Sequence, residues 1–212
     1  MAVDYRDESL GRYLEDAASA RPTPGGGSVA AVAGALATTM ASMAAGFTAG
    51  KERFQDVEPE INAHLARLAE IREALIASAH EDMNAYQGIM AALKMPKETD
   101  DQKSARRQAL RRATRASLDV VGRVRDAARE VLAVARRLAD IANPNLISDV
   151  GVAAELALGT VRAAGVNVAV NLAGYRDTDA AAAVRRETDA ALAEAERLAA
   201  ETREIVFETL SK

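Results

Sequence analysis

Large apolar residues recur three and four positions apart along most of the chain, the spacing that gathers them on one face of an α-helix. Val29, Val32, Leu36, Met40, Met43 and Phe47 form one such stripe, inside a segment (22–50) that carries no charge. A first amphipathic helix is predicted from Ser9 to Ala20. It is stopped by RPTPGGG at 21–27, where two prolines fix φ and remove donors and three glycines permit backbone other residues avoid. Ser28 is the natural N-cap of a second helix over 28–46. A third runs from Pro59, suited to a first turn, to Leu93, with Pro96 beyond it. A fourth extends from Glu98 to Ala142 and meets Asn-Pro-Asn at 143–145. As one rod it is roughly 65 Å long, against a radius of gyration of about 17 Å for a compact domain of this length. Either the bundle is elongated or this stretch breaks between Ser117 and Gly122. Ser148 caps a fifth helix to Leu172, ended by Gly174, and Asp177 or Thr178 opens a sixth to Leu210. With no internal repeat and no linker, the pattern predicts an all-α, single-domain bundle of long helices over 1–212.

Composition changes the expected packing. Apolar residues are 49% of the chain, but 49 of them are alanine and only seven residues are aromatic. Such a core depends on close backbone approach rather than bulk. The uncharged segment is long enough for a membrane span, yet outside its stripe it holds alanine, glycine, serine and threonine, which transfer weakly into lipid. A helix buried on all sides by protein is the expectation. Zero cysteines exclude a disulfide scaffold, a thiolate zinc site and a cysteine nucleophile. The acidic start MAVDYRDESL has no apolar segment, so a cytoplasmic protein is expected. A net charge of −4 argues against a general nucleic-acid binder. Between Lys103 and Arg137, however, eleven basic residues face three acidic ones. That stripe is either a solvated helix face or an attractor for a polyanionic ligand tail.

Few positions suggest chemistry. Gly46 to Gly50 followed by Lys51 has the wrong spacing for a P-loop, with Glu52 where a magnesium-binding hydroxyl belongs. The glycine run at 25–27 feeds a helix N-terminus, whose amides and positive end favour an anion or a polar heterocycle; an ordinary turn is the alternative. His64 and His80 point to opposite faces of one helix, so no metal site is expected. Leu68, Leu75, Asp82 and Ile89 recur every seven residues, which puts Asp82 on an apolar seam with Tyr86 one turn on. A carboxylate there is costly unless paired with a cation or used, and burial raises its pKa toward acid–base duty. Ser148 and Asp149 read as a cap and a dipole-compensating carboxylate. Asn167 and Asn171, one turn apart on an apolar surface, need partners from protein or ligand.

In order along the chain, PTPGGGSVAAVAGALATTMASM (22–43), TAGK (48–51), DMNAYQGIMAALKMPK (82–97), NPNLISDVGVAA (143–154) and VNVAVNLAGYRD (166–177) resemble the cyclodeaminase/cyclohydrolase family of folate one-carbon enzymes. The resemblance implies a helical homodimer like the C-terminal domain of formiminotransferase-cyclodeaminase, and one of two activities. One is methenyltetrahydrofolate cyclohydrolase, which hydrolyses 5,10-methenyltetrahydrofolate to 10-formyltetrahydrofolate. The other is formiminotetrahydrofolate cyclodeaminase, which releases ammonia and leaves the methenyl compound. It further implies proton transfer by Lys51, Asp82 and Asp149. Substrate binding falls to Pro24, Gly25, Gly26, Gly27 and Ser28, with Tyr86, Asn145, Ser148, Asn167 and Asn171. Neither a metal nor a cofactor beyond the tetrahydrofolate substrate is implied, and that substrate is expected in polyglutamylated form too; nucleic-acid and membrane partners are not expected. The chain departs from many relatives in lacking a proline near 117–122 and a cysteine in the second helix. A reading of another class is a non-catalytic helical assembly protein, which leaves Asp82 without a purpose. The two readings part on whether Lys51, Asp82 and Asp149 converge on one cavity.

Overall fold

Six α-helices hold most of the described residues (3–173, 175 and 178–212) of the computed structural model, and no strand occurs among them. They are α1 (Leu10–Ala18), α2 (Gly26–Gly46), α3 (Glu58–Leu93), α4 (Asp100–Ile141), α5 (Ile147–Leu172) and α6 (Thr178–Leu210), with short 3₁₀ turns at Glu52–Phe54 and Pro144–Leu146. Gly174 and Asp177, expected at the α5–α6 junction, lie outside the described residues.

α2 is the central element, and small side chains put it there. Its buried face is Ala30, Ala31, Gly34, Ala37, Thr38, Ala41, Ala44 and Ala45, set against α3 and α5. At Gly34 a Cβ would lie 3.1 Å from the Thr160 side chain of α5 and 3.2 Å from the Leu75 side chain of α3, so side chains of both neighbours rest directly on the α2 backbone. This corrects the expected burial on all sides. The stripe of large residues faces outward: Val29, Leu36 and Phe47 are 46%, 49% and 54% exposed, and Val32, Met40 and Met43 are half-buried. Bulky side chains on the inner face would hold the three helices apart. α2 and Pro144–Leu172 are long and apolar enough to cross a membrane; in the fold each packs one face on neighbouring helices.

α4 does not break. It runs 42 residues from Asp100, opened by a Thr99–Gln102 capping box, and Ser117, Leu118, Val120 and Val121 are helical and buried. At about 1.5 Å per residue it is some 63 Å long, so the bundle is elongated. Most of its basic stripe is ion-paired, for example Arg123 with Glu81 and Arg137 with Glu60 on α3, and Arg129 with Glu194 and Arg136 with Glu201 on α6. Exposed pairs of this kind contribute little individually but lace the helices in register.

α2 and α5 run antiparallel. Gly26 lies beside Asn167 near the end of α5, and the Thr48 hydroxyl just past α2 accepts the Asn143 N–H ahead of α5 at 2.9 Å. Thr48 is fully buried and donates to the Ala44 carbonyl. Thr48→Val removes the acceptor while keeping the shape and orphans a buried amide, which costs about 1–3 kcal/mol. Urea unfolding is expected to show a lower midpoint at unchanged slope; an unchanged midpoint contradicts this account.

Candidate active site

The first turn of α2 has no side-chain cap of its own. Gly25 is the N-cap residue, not Ser28, which sits inside the turn. The acceptor arrives from α3: the Ser28 N–H donates to Asp82 Oδ2 at 3.0 Å. Gly27 makes room for it, since a Cβ there would stand 2.1 Å from Asp82 Oδ1. A Cβ on Gly26 would stand 3.2 Å from Asn167 Oδ1. The glycine run therefore serves close approach, and the anion suited to this helix N-terminus is the protein's own carboxylate. Behind it, the buried Ser28 hydroxyl meets the Tyr13 hydroxyl at 3.0 Å, joining α1 to the same turn. Burial raises the Asp82 pKa above its ordinary value of 3.8, partly opposed by the Ser28 amide. Asp82 takes no Lys or Arg partner among the described residues, so the expected alternative of a structural ion pair does not hold.

Asp82 opens into a cleft of about 540 Å³. Its lining unites seven sequence-derived positions: Gly25, Gly26, Gly27, Asp82, Tyr86, Asn167 and Asn171. Ile89, Leu93, Leu110 and Val170 supply an apolar wall, and Asp82 is the one charged side chain among the described lining residues. A desolvated carboxylate beside such a wall can accept a proton or hold a cation. Pro24 is buried and absent from the lining, which uses Pro22 and Thr23. Ser28 lines a different cavity of about 440 Å³ with Tyr13 and His80. A third groove, of about 660 Å³, carries Arg106, Arg107 and Arg111 and shares Leu110 and Thr114 with the cleft.

Lys51, Asn145, Ser148 and Asp149 lie at the opposite end of the bundle. Twenty-one unbroken residues of α2, about 30 Å, separate Gly26 from Gly46, and the Thr48–Asn143 bond keeps the TAGK and NPN segments at the far end. Lys51, Asn145 and Ser148 are exposed and Asp149 is half-buried. Ser148 is not the N-cap of α5; Leu146 is, and it makes no side-chain cap. Within one chain, then, Lys51 and Asp149 do not converge with Asp82, contrary to the expectation. Ser117 and Thr114 belong to the cleft although periodicity gave no sign of them. Reading 117–122 as a break hid a buried hydroxyl on a continuous helix.

The sequence profile of the formiminotransferase-cyclodeaminase family matches residues 9–190. The chain is 34% identical over 204 residues to the methenyltetrahydrofolate cyclohydrolase of Methylorubrum extorquens, covering 96% of each chain. It is 27% identical over 194 residues to the formimidoyltransferase-cyclodeaminase of Rattus norvegicus, covering 92% of this chain and 36% of the rat protein. Its fold is similar to the crystal structure of formiminotetrahydrofolate cyclodeaminase from Thermotoga maritima, with a TM-score of 0.87, 29% identity, and coverage of 95% of this chain and 97% of that one.

The raised Asp82 pKa has a consequence for stability. A carboxyl whose folded pKa lies above its unfolded one contributes stability fully below the unfolded value, 3.8, and loses it as pH rises through the folded value. At neutral pH the ionised Asp82 therefore weakens the fold. Asp82→Asn, whose amide oxygen still accepts from Ser28, is expected to be more stable than wild type at about pH 7.5, with the gap shrinking toward about pH 4. Urea unfolding at the two pH values checks this, and a pH-independent difference contradicts it.

Proposed function

The chain belongs to the formiminotransferase-cyclodeaminase family, and from that premise we propose that it is a folate one-carbon enzyme, a methenyltetrahydrofolate cyclohydrolase. The observation that carries this reading is Asp82, a desolvated carboxylate in a cleft with an apolar wall and two amides. In the proposed reaction water adds to the bridge carbon of the cationic 5,10-methenyl group, and Asp82 accepts the proton that water gives up. The same negative charge favours the amidinium before attack. The adduct's hydroxyl then loses its proton as the formyl C=O forms, the bond from that carbon to N5 breaks, and N5 takes a proton. The net yield is 10-formyltetrahydrofolate and one proton. The Methylorubrum extorquens relative, matched over nearly its whole length, favours this activity. Likeness to the Thermotoga maritima enzyme favours the second reading, formiminotetrahydrofolate cyclodeaminase, in which N10 attacks and ammonia leaves.

Lys51 and Asp149 join this chemistry in the reading only through a second copy of the chain. Two observations support a homodimer. Large apolar side chains stand exposed on the outer faces of α2 (Val29, Leu36, Phe47) and α5 (Val152, Val166, Val170). The expected proton-transfer residues are divided between opposite ends of α2. A two-fold axis perpendicular to α2 sets one α2 antiparallel to its counterpart, which brings each Lys51–Asp149 end to the other protomer's Asp82 cleft. An obligate interface of this type buries more than about 2,000 Å². The groove with Arg106, Arg107 and Arg111 continues from the cleft and suits the carboxylates of a folate glutamate tail.

Asp82→Asn and Lys51→Met are each expected to lower turnover of 5,10-methenyltetrahydrofolate at least about a hundredfold. Absorbance follows this substrate, and ammonia release from formiminotetrahydrofolate measures the second activity. Assembled together from the two mutant chains, random dimers regain about a quarter of wild-type turnover, because half of them pair unlike chains and keep one intact site. Folded mixed dimers with no recovery contradict the shared site, and a wild-type protein inactive on both substrates contradicts the function. For the tail, KM is expected to be lower for polyglutamylated than monoglutamylated substrate at about 20 mM salt, the gap closing near 500 mM with kcat little changed. Equal KM values at both salts assign the arginines to a solvated face.

A further inference from the structure

Buried hydroxyls on the helices of this protein mostly bond back to their own helix. Ser78, Thr160, Thr188 and Thr202 each donate to the carbonyl four residues earlier, and Thr38 to the one three earlier. Ser117, buried on α4, is used differently: its Oγ accepts from Nδ2 of Asn171 on α5 at 2.9 Å, across 54 residues of sequence. Accepting there requires the amide nitrogen of Asn171 to face α4, which turns the amide oxygen the other way. Asn167, one turn earlier, is fixed by its own helix, its Nδ2 donating to the Ala163 carbonyl at 2.9 Å while its Oδ1 lies over Gly26. Both asparagines line the cleft with Asp82. The carboxylate of Asp82 and the amides of Asn167 and Asn171 thus share the cleft with the hydroxyl side chains of Thr23, Tyr86, Thr114 and Ser117, and none of its described lining residues is a cation.

We infer that Ser117 is a positioning residue that locks the Asn171 amide, so that with Asn167 and Asp82 the cleft presents hydrogen-bond acceptors to the donor edge of a reduced pteridine. The inference rests on the folate reading above and deepens it. Ring N–H groups and an exocyclic amine are donors, and fixed acceptors set beside hydroxyls that can turn either way favour such an edge over one rich in carbonyls. Without Ser117 the Asn171 amide is free to turn its nitrogen into the cleft, where it opposes the ligand's own donors.

The experiment measures steady-state kinetics on 5,10-methenyltetrahydrofolate for the full chain. Ser117→Ala is expected to raise KM about five- to tenfold, the scale of one neutral hydrogen bond, with kcat within about twofold. Ser117→Thr, which restores a hydroxyl, is expected to recover most of the lost KM. Asn171→Leu raises KM at least as much, and adding Ser117→Ala to it has no further effect, because Ser117 acts only through Asn171. An unchanged KM in Ser117→Ala, or an additive effect in the double variant, overturns the inference while leaving the folate reading intact. A wild-type protein that neither binds nor turns over the substrate overturns both. If Ser117→Ala fails to fold, as judged by circular dichroism, Asn171→Leu with unchanged KM overturns the inference on its own.

Discussion

Asp82 sits against the first turn of α2, and much of the molecule is arranged to allow that contact. A helix N-terminus attracts a carboxylate, but one carried by a neighbouring helix reaches the backbone only where no Cβ intervenes. Gly27 meets that requirement. The approach also needs α3 side chains to reach the α2 backbone, which the alanine face of α2 and Gly34 permit. Burial gives the carboxylate a pKa above its ordinary value, with no cation among the described residues paired to it to bring it down. A carboxylate partly withdrawn from water and left without an ion pair weakens the folded state at neutral pH, and such groups are characteristic of sites that move protons.

The same small-residue rule has an external consequence. Placing alanine and glycine inside leaves the large apolar residues of α2 outside, where Val29, Leu36 and Phe47 face solvent in a single chain. In the proposed homodimer these exposed side chains form part of the interface. The uninterrupted length of α2 holds the glycine run and the TAGK segment at opposite poles. Both features arise from one helix, and both are what the proposed two-fold homodimer accommodates.

Much of this was legible in the residues. Helix number and most boundaries follow from proline, glycine and asparagine punctuation, and the heptad position of Asp82 marked it as anomalous. Family resemblance grouped Gly25, Gly26, Gly27, Tyr86, Asn167 and Asn171, and the cleft brings them together. Other features were not legible because they depend on distances between helices. Periodicity identifies an apolar stripe on α2 but cannot say that the opposite, smaller face is the inner one. The Ser28 cap was misread because its replacement, Asp82, comes from 54 residues away. Ser117 looked like a weak point in a long helix until Asn171 supplied its partner. Motif matching likewise has no account of separation, so it placed Lys51, Asp82 and Asp149 together although one chain holds them apart.

The proposed role of Asp82 is that of a proton acceptor tuned by burial. Its most direct test is a carboxyl-carbon NMR titration of Asp82 in the folded protein, set beside the acid limb of the kcat/KM–pH profile, which reports groups of the free enzyme. The prediction is that Asp82 titrates above its ordinary value of 3.8 and that activity on 5,10-methenyltetrahydrofolate rises with pH through the same midpoint. An Asp82 that titrates at or below that value, or an acid limb that does not follow its titration, would contradict the account.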